Sequence, residues 1–353
     1  MTFASLAPRR RTASTTLAAS LFSLAACGGD TVSEDAFVAS TPDAFVATND
    51  APGESPDAFS AEDAGMPAPD AHVEGDAGTP DPDAGMTSAC GGMRPAITSI
   101  TGTEGLVVAR DGSIYFSQRA AVGRVAPDGT IDTSFAALPR AAAQVWGMVP
   151  DAANEHLYVG SPSTGTIYDV DLTASPPSVE PLVTMVGGPN GLTLGPDGAL
   201  YFSDFSGGRV LRVTLDGGAA PTMVARISSA NGVAFEDDGS LLVCNYGAGQ
   251  LIRLTLADGV ESGRETVASR LGSPDGVAVD REGTIYVTDN AGGRLLQLAE
   301  DGSSTELLTG VGSAASLDFG AGALDCEDLY VASGRAMRRY EMGTTPGRAV
   351  PWH

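Results

Sequence analysis

The sequence predicts an all-β fold, a six-bladed β-propeller of four-stranded blades. Three observations carry this. The first is a recurring phrase: a turn, a short apolar strand, an Asp-Gly or Glu-Gly pair, a second apolar strand and a polar end. It reads PNGLTLGPDGALYFSD from Pro189, NGVAFEDDGSLLVCN from Asn231, DGVAVDREGTIYVTD from Asp275 and EGLVVARDGSIYFSQ from Glu104. The second is its period. Aligning the strand heads puts Gly105, Gly147, Gly191, Gly232, Gly276 and Leu317 in register, with steps of 42, 44, 41, 44 and 41 residues. A period near 42 of short strands and Gly-rich turns marks one four-stranded blade per repeat. The third is the absence of any 3.6-residue periodicity, beside β-rich runs such as Leu200-Tyr201-Phe202 and Ile285-Tyr286-Val287.

Taken in order, residues 1–27 read as a secretory signal. Arg9, Arg10 and Arg11 precede an apolar run from Thr15 to Ala26, too short to span a bilayer. The run ends in Leu24-Ala25-Ala26-Cys27-Gly28, which resembles a bacterial lipobox, with lipidation of Cys27 as the expectation. Lipid chains would tether the protein to a membrane surface without spanning it. Gly28 after the Cys implies the outer membrane ahead of the inner one. The expected location is therefore the extracytoplasmic cell envelope, with membrane contact through the lipid alone.

Residues 28–88 carry 14 Asp and Glu and no Arg, in near-repeats such as PDAFVA, PDAFSA and EDAG. Such a segment buries too little apolar area to offset chain entropy, so it is expected to be a disordered acidic tether. The formal charge of −24 divides into +3 from the signal, −14 from the tether and −13 from residues 89–353, the expected propeller domain. There is no Lys in the chain. An acidic domain with dispersed Arg argues against nucleic acid, whose phosphates need a basic face. It is compatible with a cation site.

Each repeat parses further. The innermost strand is short and apolar (Leu192 to Leu194, Val233 to Phe235, Val277 to Val279). Asp111-Gly112, Asp197-Gly198, Asp238-Gly239 and Glu282-Gly283 follow, pairs that accept the positive φ of a tight hairpin. A Gly-containing loop leads to a third strand, and a second turn (Asp216-Gly217, Asp258-Gly259, Asp301-Gly302) to an outer one. The last repeat has little room for its fourth strand, and Ala96 to Ile100 is expected to supply it. Of the four Cys, Cys244 sits inside a strand and reads as a small hydrophobe. Cys90 and Cys326 are expected to pair in an oxidising compartment, fastening the two ends of the ring.

Residues just before the inner strands of different blades converge on the propeller axis although they are some 40 residues apart. By the register above they are Glu104, Trp146, Asn190, Asn231, Asp275 and Ser316. Asn-Gly and Asp-Gly are also plain turn signals. The Gly recurs, however, while the residue before it varies from carboxylate to amide to Trp, so the turn does not dictate it. Two carboxylates and two amides with no basic residue among them form a costly cluster unless a cation neutralises it. Oxygen-only ligation suits Ca²⁺ first, then Mg²⁺ or Mn²⁺, and Zn²⁺ less well. None of the three His is at a strand head: His72 lies in the tether, His156 in a turn and His353 at the terminus.

With Glu-Gly in blade one, Pro-Asn-Gly in blade three, Asn-Gly in blade four and Pro-Asp-Gly in blade five, residues 95–353 resemble the gluconolactonase, senescence marker protein and luciferin-regenerating enzyme family. The resemblance implies hydrolysis of a sugar lactone or related cyclic ester. It implies Glu104, Asn231 and Asp275 as ligands of a divalent metal, and Asn190 as the residue that holds substrate or metal-bound water. Asp275 would accept the water's proton and Asn190 would donate to the developing oxyanion. Some sugar-lactonase members have an arginine two residues before the blade-three Asn. This chain has Gly188 there, so a less polar lactone or ester is an equal expectation.

A second polar ring is expected where strand two ends: Gln118, Asp204, Asn245, Asp289 with Asn290, and Ser333. These line the pocket mouth and bind substrate, or simply cap their strands. Trp146 and Tyr246 read as apolar pocket walls or as core. The expected partner is a small-molecule lactone or ester, and the chain is read as a monomer. The competing reading is a non-catalytic NHL-like propeller displayed as a surface binding module. Fold alone does not separate the two.

Overall fold

The computed structural model describes residues 90–97, 99–215, 219–334 and 336–342. The chain divides between Gly75 and Asp76, and every described residue lies in the second part. The expected signal at 1–27 with Cys27, the tether at 28–88, the Asp216-Gly217 turn, His72 and His353 fall outside the described residues.

The described residues form strands and no helix. Blade one is β1 (Leu106–Val108), β2 (Ile114–Gln118), β3 (Ala121–Val125) and β4 (Ile131–Ala137). Blade two is β5 (Met148–Pro150), β6 (His156–Ser161), β7 (Thr166–Asp171) and β8 (Ser178–Val183). Blade three is β9 (Pro189–Leu194), β10 (Leu200–Asp204), β11 (Arg209–Val213) and β12 (Thr222–Arg226). Blade four is β13 (Ala230–Phe235), β14 (Leu241–Asn245), β15 (Gln250–Ala257) and β16 (Val260–Ser269). Blade five is β17 (Pro274–Val279), β18 (Ile285–Asp289), β19 (Arg294–Leu298) and β20 (Ser304–Thr309). Blade six is β21 (Ala314–Phe319), β22 (Asp328–Ser333) and β23 (Ala336–Glu341). Within each blade neighbouring strands pair antiparallel in sequence order, the six-bladed propeller the sequence predicts.

The expected hairpins form at the Asp-Gly and Glu-Gly pairs, with Gly112, Gly198, Gly239 and Gly283 at φ of 89°, 71°, 81° and 84°. Second strands such as β10 and β18 are buried along their whole length, because each lies inside its blade with a neighbouring blade on either face. Six apolar clusters fill the six blade-to-blade interfaces; Tyr201, Phe235 and Val243, for instance, join blades three and four.

Blade six departs from expectation. Ala96 to Ile100 does not add a fourth strand. Pro95 has no N–H, Ile97 N–H turns back onto Pro95 O (3.1 Å) and Ile100 N–H onto Ile97 O (3.0 Å). The Ile97 and Ile100 donors are thus used in local turns, not a ladder. One bond reaches the blade, from Met337 N–H to Ile100 O at 3.1 Å. Ile97 and Ile100 still cover the blade, packed with Tyr330, Ala332 and Met337.

Upstream, Gly91 N–H donates to Gly322 O (2.8 Å) and Met93 N–H to Ala323 O (3.0 Å). Arg94 pairs with Asp325, Asp328 and Glu341. Cys90 and Cys326 form the expected disulfide, with Cα atoms 5.7 Å apart across 236 residues of sequence. Cys244 is free and buried, as expected of a small hydrophobe.

Candidate functional site

The inner strands are set by close backbone contact. A Cβ on Gly105 would lie 1.7 Å from Trp146 O, and one on Gly147 would lie 1.7 Å from Asn190 O. On Gly191, Gly232 and Gly276 it would lie 2.5, 2.2 and 2.5 Å from the carbonyls of Asn231, Asp275 and Ala315. Each glycine therefore abuts the head carbonyl of the next blade. None of these five has a positive φ. The glycine recurs for close approach, where the sequence reading ascribed it to a turn.

This contact corrects the register in blade six. Gly276 meets Ala315 O and the Cα of Ser316. Ala314 pairs with Ser333 as Pro274 pairs with Asp289, and Leu317 with Val331 as Val277 with Val287. Ser316 thus occupies the glycine position, and its N–H donates to Glu104 O (3.3 Å), joining blade six to blade one. The head ring is Glu104, Trp146, Asn190, Asn231, Asp275 and Ala315.

Hydroxyls on the second strands fix these heads. Ser117 Oγ accepts from Glu104 N–H (2.8 Å) and Gly105 N–H (2.9 Å). Ser203 Oγ accepts from Gly191 N–H, and Thr288 Oγ1 from Gly276 N–H (2.8 Å). With the backbone pinned on both sides, the head side chains are held on one end of the axis.

Three of them meet. Asp275 and Asn231 are 7% and 3% exposed, and Glu104 is half-buried. Burial pushes the Asp275 carboxyl well above the usual carboxylate range, and Glu104 adds to the push; hydrogen bonds from Asn290 and Asn231 oppose it. The Asn290 bond runs from Nδ2 to Asp275 Oδ2 at 2.9 Å. Glu104 is itself raised by burial. Asn231 Oδ1 is a buried acceptor with no hydrogen-bond partner. Two carboxylates desolvated together beside an orphaned amide oxygen fit a hard divalent cation, which satisfies all three. Among the described residues no three His, Cys, Asp or Glu side chains form a metal-ligand group, so any such site draws on the amide. Asn190 is a half-buried head in β9.

The ends of the second strands mostly cap their own blades. Asp204 is fully buried. It accepts from Gly188 N–H (2.8 Å), Gly207 N–H (2.8 Å) and Arg209 Nε (2.9 Å). Burial raises its pKa, but these donors outweigh burial and hold it below the usual carboxylate range. Asp289 does the same with Ser273 N–H, Gly292 N–H and Arg294. Asn245 Oδ1 accepts from Ala248 N–H (3.2 Å), Ser333 Oγ bonds Ala336 and Gln118 Nε2 donates to Thr101 O. The carboxylates of Asp204 and Asp289 make the strand-end capping contacts that the sequence offers as the alternative to substrate binding. Asn290, one residue further, does reach the head ring through Asp275.

The same offset in blades three and four carries Phe205, which the sequence reading missed, and Tyr246. Trp146 meets Phe205 edge-on (centroids 6.2 Å, 84°), and Phe205 meets Tyr246 (5.8 Å, 78°). All three are half-buried. The signal that finds Phe205 is its place: one residue after the polar end of strand two, as with Tyr246 and Asn290.

Below the heads runs the channel, holding a cavity of about 110 Å³. Its ring of one residue per blade is Val107, Val149, Thr193, Ala234, Ala278 and Asp318. Asp318 Oδ2 accepts from Val108 N–H at 2.8 Å, across the seam between blades six and one. Burial pushes its pKa up to about 7 against the pull of the Val108 and Phe319 N–H groups. His156 begins β6 in place of the expected turn, and pairs with Asp169 at 2.9 Å. It stands at the end of blade two away from the heads, since Pro150 at the far end of β5 pairs with Leu157.

Fold and site together define the class: a six-bladed propeller of lactonase-like architecture, with an oxygen-donor cluster at the head of its channel. The chain belongs to the virginiamycin B lyase family, whose model matches residues 95–311. Among solved structures it is similar to a gluconolactonase from Xanthomonas campestris (24% identity, TM-score 0.58, covering 68% of this chain and 86% of that one). It is similar to a luciferin-regenerating enzyme (18%, 0.57, 72% and 95%). It is also similar to a catalytically inactive histidine-to-alanine variant of virginiamycin B lyase from Staphylococcus aureus with quinupristin (17%, 0.51, 69% and 85%). These likenesses are of fold. No curated protein matches the chain.

Proposed function

We propose that the protein is a divalent-cation-dependent hydrolase that opens a lactone or related ester. The observation that carries this is the partnerless Asn231 Oδ1, buried beside the two carboxylates of Asp275 and Glu104. Glu104, Asn231 and Asp275 would hold the cation, with Ca²⁺ first and Mg²⁺, Mn²⁺ or Zn²⁺ behind it. Bound there, it would polarise the ester carbonyl and acidify a neighbouring water. Asn290 Nδ2 donates to Asp275 Oδ2 and so orients the carboxylate that would ligate the cation and take the proton of the attacking water. Asn190 presents its amide N–H groups to the oxygen that gains charge. The lipobox at Cys27 and the acidic tether support display on the outside of the cell envelope, and the Cys90–Cys326 disulfide suits that oxidising compartment.

Membership of the lyase family favours a second reading, ring opening by elimination. The lyase variant without its histidine is catalytically inactive. Here the one described histidine, His156, is paired with Asp169 away from the heads, which favours water over elimination.

The test is a panel of lactones and aryl esters assayed with and without chelator, on wild type and Asp275→Ala, in ¹⁸O-labelled water. Chelator-sensitive turnover with one label in the product carboxylate supports hydrolysis. Turnover without label supports elimination. Activity that survives both chelator and substitution removes the metal mechanism. No activity on any substrate favours the NHL-like binding module.

A further inference from the structure

The head ring and the residues just beyond strand two divide the site face into two unlike sides. Blades one and five hold Glu104, Asp275 and Asn290. Blades two, three and four hold Trp146, Phe205 and Tyr246, which touch in series. Asn290 shows how far this offset reaches, because from blade five it bonds the head residue of its own blade at 2.9 Å. Phe205 and Tyr246 hold the same place in blades three and four, with Phe205 N–H on Gly188 O (2.9 Å) and Tyr246 N–H on Ser229 O (3.1 Å). They therefore stand beside Asn190 and Asn231. On the rim of the same side, in the loop before β9, Met185 is 93% exposed.

We propose that this aromatic arc binds an aryl or similarly bulky apolar substituent of the substrate, so that the preferred ligand is an aryl-substituted lactone or ester and not a polyhydroxylated sugar lactone. The inference rests on the hydrolase reading for the ester group alone; the arc is a binding surface whether or not turnover occurs. A polyhydroxylated ring carries a hydroxyl on nearly every carbon, and each one desolvated without a partner is costly. The rings themselves offer only the Trp146 N–H and the Tyr246 hydroxyl, and the heads beside them add the amides of Asn190 and Asn231, too few for a ring with a hydroxyl on nearly every carbon. Gly188 beside it has no side chain, and a Cβ there would lie 2.7 Å from Ser206 Oγ, so a longer donor does not fit without displacing that side chain. Asp204, the nearest carboxylate, is committed to Gly188, Gly207 and Arg209. Three half-buried rings in edge-to-face contact form a continuous apolar surface against which a flat apolar group can pack, where further edge-to-face contacts add to the burial of area.

The experiment uses two non-cleavable probes, a benzyl-substituted δ-lactam and the unsubstituted lactam, titrated calorimetrically against the full chain. Wild type is expected to prefer the benzyl lactam by about tenfold or more. Phe205→Ala is expected to bring that preference within about twofold, and Phe205→Leu to an intermediate value. Asp275→Asn is expected to keep the preference, because the arc does not depend on the ester-opening groups. A folded Phe205→Ala protein with the wild-type preference overturns the proposal, as does a wild type that binds both lactams equally. If Phe205→Ala does not fold, Tyr246→Ala is read by the same criterion. A preserved benzyl preference in a chain that turns over no lactone or ester leaves the arc standing and removes the hydrolase reading.

Discussion

Asp275 and Asn231 carry most of the chemical content of the head ring, and neither is needed for the backbone that holds it. Asp275→Asn is expected to lower lactone or ester turnover by at least about a hundredfold. Ca²⁺ or Mn²⁺ is expected to raise the melting temperature of wild type, and Asn231→Leu to abolish that rise, both read by differential scanning calorimetry. Retention of that rise in Asn231→Leu would remove Asn231 from the ligand set.

Asp318 makes a separate prediction in the same channel. Its folded pKa of about 7 stands above its ordinary value. Protons are thus held more tightly in the folded than in the unfolded protein. The stability this gives is complete below about pH 4 and is lost as pH rises to about 7. Asp318→Asn is expected to flatten the stability–pH curve by roughly 3–4 kcal/mol across that window, measured by urea unfolding at several pH values. An unchanged slope would show that Asp318 titrates normally. The chemistry of Asp275 and Asn231 is legible from type and register, whereas Asp318 emerges only from the seam bond to Val108. That Asn231 Oδ1 is orphaned is not legible either, because it depends on which donors the neighbouring blades bring within reach.

The blade itself is largely legible. The Asp-Gly and Glu-Gly pairs that follow the inner strands fix the expected hairpins at Gly112, Gly198, Gly239 and Gly283, and strand limits follow from the apolar runs between the turns. One feature escapes and another stays open between two readings. Ser316 was read as a head because blade six has no glycine to mark its register, and only the contact with Gly276 and the bond to Glu104 O show the shift. Asp204 and Asp289 were read as facing the mouth or capping. Their donors Gly188 and Ser273 lie 16 residues back, beyond any local turn signal. At this scale Gly147→Ala is expected to cost about 3 kcal/mol or more, or to prevent folding, since the new Cβ meets a backbone carbonyl that cannot swing away. Gly310→Ala is the control. It has open space but a φ of 68°, so about 1 kcal/mol is expected, both being read by chemical denaturation. Equal costs would mean that the head glycines serve conformation and not close approach.

Over the whole molecule, the seam between blades six and one is closed by an apolar cluster and by polar and covalent links: the disulfide, the Arg94 ion pairs, the Ser316–Glu104 bond and the Asp318–Val108 bond. The pairing of Cys90 with Cys326 was legible from composition and repeat count. The manner of closure was not, because whether Ala96 to Ile100 extends or turns is decided by where Pro95 leaves its neighbours' donors. The double variant Cys90→Ser, Cys326→Ser is expected to lose about 2–5 kcal/mol of stability, measured by urea unfolding with wild type under reducing conditions as the match. An unchanged midpoint would mean that the ion pairs and apolar cover close the ring unaided.

The position of that seam also sets how the protein bears load. Chain arriving from the N-terminal side meets the propeller at Cys90, which is bonded at once to blade six and continues directly into blade one. A pull from that side is therefore shared between two covalent routes that enter the ring at adjacent blades. Neither route lets blade one peel away by itself, and the six interfaces resist together in shear. A ring closed only by its hydrogen bonds would unzip from one edge. Here the clasp adds a covalent link to those bonds, so that separating blade one from blade six also requires reducing it.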